Sequence, residues 1–290
     1  MSSTAKSEQD QQPAPRERAR FTREITSFVA GPVLVLIVGW APGLVVAAVI
    51  TLVAAIALWE FLSMGEKKGL PIQKVLSMIL LLILLTSFLL PAFPVEAAIL
   101  AVLMLIPMAY VFSRSDLSAA LPASAVCVLG ILYVGLLSGA MMGLRLHFEP
   151  HGSDLLFFLL LVVWAGDALA YYTGRKFGKT RLLPRVSPKK TVEGLLGGVA
   201  GSLITAAVIQ LTFFGEFPLV HALICAALVS LSGVVGDLAE SAWKRSAEIK
   251  DSGTIIPGHG GILDRTDSIL FAAPVLYAYW YLLHGPFRLP

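Results

Sequence analysis

Residues 237–268 read DLAESAWKRSAEIKDSGTIIPGHGGILDRTDS and carry a dense set of side chains able to do chemistry. Eleven of these 32 are charged, counting His259 when protonated, and carboxylates alternate with cations: Asp237, Glu240, Lys244, Arg245, Glu248, Lys250, Asp251, Asp264, Arg265 and Asp267. Asp237, Glu240, Ser241 and Lys244 fall at i, i+3, i+4 and i+7, so a helix puts them on one face. Asp264, Asp267 and Ser268 repeat the i, i+3, i+4 spacing at the other end. Between them, Gly258-His259-Gly260-Gly261 leaves a backbone free to approach a ligand closely. Two acidic helix ends flanking one glycine-rich loop are placed to converge on one divalent cation or a pair. Hard divalent cations prefer oxygen ligands, carboxylates among them.

A second polar segment, residues 174–193, supplies Ser187, Lys189, Lys190 and Thr191, whose hydroxyls and ammonium groups suit an anionic ligand. The two segments are expected to meet over one pocket. Asp167, inside the apolar run that precedes the second segment, either pairs with a cation from a neighbouring helix or faces the ligand. The basic residues at 175–185 suit an interface with anionic lipid.

The elements that must hold these groups are hydrophobic. The chain has 290 residues, 57% hydrophobic and 14% charged, against about 25% charged in soluble domains, with mean hydropathy +0.80. That much apolar surface needs a bilayer. Nine stretches approach the roughly 20 residues that a helix needs to cross one: about 25–40, 43–62, 73–91, 94–113, 118–142, 154–173, 194–214, 217–236 and 268–285. They are too long and too uniformly apolar for the alternating strands of a membrane barrel. The first two are divided only by Ala41-Pro42. The expected class is therefore all-α, a polytopic membrane protein of about nine helices.

With the N-terminus cytoplasmic, 20 of the 22 Lys and Arg residues lie on the cytoplasmic side, and only Arg145 and Arg288 fall outside. The positive-inside rule thus supports both the division into nine and the direction. Residues 1–24 are expected to be a disordered cytoplasmic tail, 25–153 an N-terminal helical region, and 154–290 a catalytic region with cytoplasmic loops at 174–193 and 237–267. A compact chain with a short tail fits a bacterial inner membrane. The net charge of +3 provides no broad basic field for nucleic acid. Cys127 and Cys225 sit in apolar runs and read as small buried hydrophobes. Gly194 with Gly198, and Gly197 with Gly201, allow close helix packing, either within the chain or across a homodimer contact.

The string S-x-x-K-R-x-x-x-x-K-D-x-G-x-x-x-P-G-H-G-G-x-x-D-R-x-D-S resembles the signature of the phosphatidate cytidylyltransferase family, the CDP-diacylglycerol synthases. Here it comprises Ser241, Lys244, Arg245, Lys250, Asp251, Gly253, Pro257 to Gly261, Asp264, Arg265, Asp267 and Ser268. Upstream, Gly166-Asp167, Ala170-Tyr171, Gly174, Gly178-Lys179, Ser187 to Thr191 and Glu193-Gly194 extend the likeness over roughly 160–270. The resemblance implies that CTP and phosphatidic acid give CDP-diacylglycerol and pyrophosphate at a bilayer, with Mg²⁺, as one ion or two. Two anions must then react, and the obstacle is their repulsion. Metal ions and cations clamp the oxygens and stabilise the leaving group. Asp237 and Asp264 are the first candidate metal ligands, with Asp267, Asp251 and Asp167 as further candidates. Lys244, Arg245, Lys250 and Arg265 are candidate phosphate binders, Arg with a bidentate fork. Ser241, Gly260 and Gly261 join the candidate substrate contacts, and His259 binds phosphate or positions the loop. A transporter fits the spans less well, because the charges crowd onto one face and no duplicated half is visible. A related enzyme acting on another lipid phosphate would share the same chemistry.

Overall fold

The computed structural model describes residues 31–90, 92–114, 116–255 and 260–285. The proposed tail, His259 and Arg288 lie outside these residues. Among them are nine helices: α1 (Gly31–Trp40), α2 (Gly43–Lys67), α3 (Lys74–Leu89), α4 (Val95–Val111), α5 (Ala120–Leu146), α6 (Gly152–Phe177), α7 (Val192–Thr212), α8 (Leu219–Ser246) and α9 (Leu263–His284). Five of them, α2, α5 with its short 3₁₀ lead-in, α6, α7 and α8, are long and apolar enough to cross a membrane. The narrow division at Ala41-Pro42 is a real break. Pro42 has no N–H to continue α1, and its extended backbone (φ −53°, ψ 146°) starts α2 afresh.

Two boundaries differ from the sequence reading. The all-α expectation overlooks a two-stranded antiparallel hairpin, β1 (Arg181–Leu183) and β2 (Ser187–Thr191), inside the segment expected to be a loop. About half of the segment 237–267 is helical, because α8 runs on to Ser246 and α9 begins at Leu263, so the helical ends read from the spacing extend further than the loop bounds suggest. Polar residues do not end a helix whose backbone bonds stay intact.

Side-chain contacts sort the helix ends into two groups. At one end, Glu60 near the close of α2 meets the start of α9, Tyr110 near the close of α4 reaches Pro71 before α3, and Lys190 before α7 meets Asp237 late in α8. At the other end, His147 after α5 bonds Phe88 at the close of α3 and Tyr277 late in α9. His151 before α6 pairs there with Glu216 in the α7–α8 link, and Arg145 pairs with Glu149. Successive helices therefore alternate in direction, and the charge-rich segments share one end.

The glycine stripe of α7 packs inside the chain, against α6. A Cβ on Gly198 would lie 3.1 Å from the Gly166 carbonyl oxygen and 3.1 Å from Ala170 Cβ, while one on Gly201 would press on Leu169. Backbone cannot retreat as a flexible side chain can. Gly198→Val should therefore destabilise the protein by about 1–3 kcal/mol. Gly215→Ala, whose new Cβ would meet only the Gln210 carbonyl at 3.8 Å, should stay within about 0.5 kcal/mol. Thermal unfolding of both variants in detergent checks this.

Candidate active site

Beyond its apolar run, α8 presents Asp237, Glu240, Ser241 and Lys244 on one face, as the spacing requires. Glu240 is fully buried. Lys244 Nζ donates to Glu240 Oε2 at 2.8 Å and to Asp264 Oδ1 at 2.6 Å, so one ammonium ties α8 to the first turn of α9. The other Asp264 oxygen, Oδ2, accepts from the Ser252 N–H at 2.9 Å, the Ser252 hydroxyl at 2.9 Å and the Gly261 N–H at 2.8 Å. Burial disfavours the charge of Asp264, but these donors outweigh it and hold its carboxyl below the usual carboxylate range. Asp264 precedes the apolar stretch that begins at residue 268, and its first role is to fasten the loop between α8 and α9.

Asp237 accepts from the Ser241 hydroxyl at 3.3 Å and pairs with Lys190 at 2.6 Å. Neighbouring strand residues face opposite ways, so β2 aims Lys190 at α8 and leaves Lys189 exposed. The expected meeting of the two polar segments is made by this pair. Thr191 is buried, and its Oγ1 caps α7 by accepting the Gly194 N–H at 3.1 Å. Glu193 fastens the approach to the hairpin, accepting from the Lys179 and Thr180 N–H groups at 3.1 Å each.

Asp167 of α6 and Asp267 of α9 both lie within electrostatic reach of Asp237, and Asp267 also faces Glu240. Asp267 is buried and accepts from the Ser268 N–H at 2.7 Å. Five carboxylates thus stand near two lysines, Lys190 and Lys244. Aromatic rings close the site on the protein side: Trp243 packs edge-on to Phe61 (5.3 Å) and Tyr133 (4.9 Å), and Phe271 meets Tyr133 at 5.8 Å. The Tyr133 hydroxyl is buried there with no hydrogen-bond partner among the described residues, and the buried Glu240 carboxyl lies against that of Asp267. Two carboxyls this close either share a proton or gather a cation. Yet no group of three or more His, Cys, Asp or Glu side chains among the described residues is gathered tightly enough to hold a metal ion.

Other residues singled out by the sequence sit at the rim. Arg245, Lys250, Asp251 and Arg265 are exposed, and Ser187 is half-buried on β2. Gly260 adopts φ +85°, a left-handed backbone natural to glycine, and the Gly261 N–H is already spent on Asp264. The sequence reading missed Glu60 and Ser252. Glu60, 3% exposed, accepts from the Ser252 hydroxyl at 3.1 Å and from the Ile262 and Leu263 N–H groups at 3.1 and 2.9 Å. The available signal was an acidic residue inside an apolar span, which is expensive without a purpose.

Sequence comparison with known proteins shows the family. The cytidylyltransferase family pattern matches residues 21–283. A phosphatidate cytidylyltransferase of Bacillus subtilis is 35% identical over 233 residues, covering 77% of this chain and 84% of the relative. That of Staphylococcus aureus (strain COL) is 36% identical over 241 residues, covering 81% and 89%. The Haemophilus influenzae protein of the same name is 41% identical over 142 residues, covering 47% and 49%.

The Lys190–Asp237 pair can be tested without reference to activity. Lys190→Ala should free the hairpin, so that trypsin cleaves after Arg181 or Arg185 several-fold faster than in the intact protein. Lys189→Ala should leave that rate unchanged. Equal rates in the two variants would remove the pair from the account.

Proposed function

The chain belongs to the cytidylyltransferase family, and from that premise we propose how its residues carry out the reaction. It is a membrane nucleotidyltransferase that joins CTP to phosphatidate. A phosphate oxygen of phosphatidate attacks the α-phosphorus of CTP, the bond from that phosphorus to the β-phosphate oxygen breaks, and CDP-diacylglycerol and pyrophosphate result. The nucleophile is already ionised near neutral pH, so no strong general base is required. The observation that carries the reading is the family match from residue 21 to residue 283, which spans every group of the charged cluster.

The cluster's carboxylates outnumber its lysines. Oxygen ligands of this kind fit a hard divalent cation, which would draw them closer together than they now stand. Asp237, Asp264 and Asp267 would hold Mg²⁺, Asp237 and Asp267 with fewer donors already attached. Bound there, Mg²⁺ would offset phosphate charge and stabilise the departing pyrophosphate. Lys190 and Lys244 turn their ammonium groups toward the same space and bind phosphate oxygens. Arg245, Lys250 and Arg265 at the rim, with Ser187, Lys189 and Ser241, draw the triphosphate in. Gly260, beside Asp251, lets the backbone come close, Gly261 fixes the turn through Asp264, and His259 is a further candidate phosphate contact. The aromatic floor of Phe61, Tyr133, Trp243 and Phe271 keeps water from the protein side, which strengthens every charge interaction above it.

The alternating helices support nine spans with the N-terminus cytoplasmic. The basic residues gathered at the site's end support a cytoplasmic orientation for that end, in a bacterial inner membrane, where CTP is available. A homodimer would have to use another surface, because α6 covers the glycine stripe.

Purified protein given labelled CTP and phosphatidate should make the liponucleotide, lose activity when Mg²⁺ is chelated, and not accept ATP in place of CTP. Other lipid phosphates in the same assay separate this reading from a related transferase. Asp264→Asn should lower turnover by at least about 100-fold while the protein still inserts and elutes normally in detergent. A near-normal rate would contradict its assigned role.

A further inference from the structure

We propose that Glu60, in the N-terminal half of the chain and outside the motif-bearing region, is a positioning residue for the transfer reaction: it holds the start of α9 and Ser252 so that Asp264 and Lys244 stand in register. The proposal deepens the cytidylyltransferase reading and rests on it.

The case begins with location. Glu60 lies within α2, a helix apolar enough to span a membrane, and is only 3% exposed. A carboxylate in that setting persists only where partners satisfy it. Its described donors come from the other half of the chain, about 200 residues away. Oε1 accepts the Ile262 N–H; Oε2 accepts the Leu263 N–H and the Ser252 hydroxyl. Ile262 and Leu263 begin α9, whose first N–H groups have no partner within the helix. A negative charge there also opposes the helix dipole favourably. Glu60 thus caps α9 from a different helix.

The second link runs through Ser252. Its hydroxyl lies between Glu60 Oε2 (3.1 Å) and Asp264 Oδ2 (2.9 Å), and its N–H also donates to Asp264 at 2.9 Å. Asp264 Oδ1 in turn takes Lys244. The chain Glu60–Ser252–Asp264–Lys244 therefore connects an N-terminal helix to the ammonium group that joins α8 to α9. The glycines confirm how tightly Glu60 is enclosed. A Cβ on Gly253 would lie 2.7 Å from Glu60 Cδ and 3.1 Å from its Cγ, and one on Gly261 would lie 2.7 Å from Glu60 Cδ. The loop carries glycine at those places so that it can close over this carboxylate.

An amide cannot replace it. Glutamine offers one acceptor oxygen and one NH₂, so either the Ile262 or the Leu263 N–H would face a donor. Glu60→Gln should lower kcat by at least about tenfold while the KM for CTP stays within about threefold, measured well below the variant's unfolding temperature. Hydrogen exchange over residues 260–267 should speed up in the same variant. Gly253→Ala should also be impaired, because the new methyl group would press on the Glu60 carboxylate.

A kcat within about twofold of wild type for Glu60→Gln would overturn the proposal. So would activity that falls only as the folded fraction falls. If the wild-type chain made no liponucleotide, the functional reading would fail. The exchange measurement would then decide by itself whether Glu60 holds the loop, and unchanged protection at 260–267 would count against it.

Discussion

Crowded negative charge at one end of a helical bundle is the constraint that organises this protein. Asp167, Asp237, Glu240, Asp264 and Asp267 come from α6, α8 and α9, and Lys190 and Lys244 stand between them. Carboxylates this close repel one another, and burial raises the penalty. The arrangement holds because each lysine ties two elements together: Lys190 binds the hairpin to α8, and Lys244 binds α8 to α9. The carboxylates still outnumber the lysines between them. Closure of the fold thus depends on the same side chains that are proposed to meet the substrates.

The helices exist to bring those groups to one place. The bilayer rewards apolar helices with internally satisfied backbones, and short connections make successive helices antiparallel. Every second helix end therefore returns to the same face. Close contact between α6 and α7, through Gly166 and Gly198, sets the hairpin beside α8. The aromatic cluster around Trp243 then seals the protein side of the site against water.

Much of this was legible in the sequence, for physical reasons that differ by residue. The nine helices were readable because long apolar runs have few other solutions. Asp237, Glu240 and Lys244 were readable as one face because helical spacing does not depend on tertiary context. Gly260 was readable as a site of unusual backbone freedom, and its φ is positive. The hairpin was not legible: three- and five-residue strands among lysines and prolines carry too little alternation. Thr191 looked like a ligand, since nothing in its type separates a cap from a contact. Glu60 was hidden because its partners lie about 200 residues away, and no local pattern encodes such a contact. Its one trace was an acid set among the apolar residues of α2.

The central claim is that the surplus carboxylates gather a divalent cation where the two substrates meet. A structure of the protein with CTP and Mn²⁺ in place of Mg²⁺, with the metal located by anomalous scattering, tests it most directly. The account predicts a metal peak bonded to carboxylate oxygens of Asp237 and Asp267 and to CTP phosphate, with Lys190 and Lys244 on the same phosphates. A metal bound elsewhere, or a triphosphate held by cations alone with those aspartates remote from it, would contradict the account.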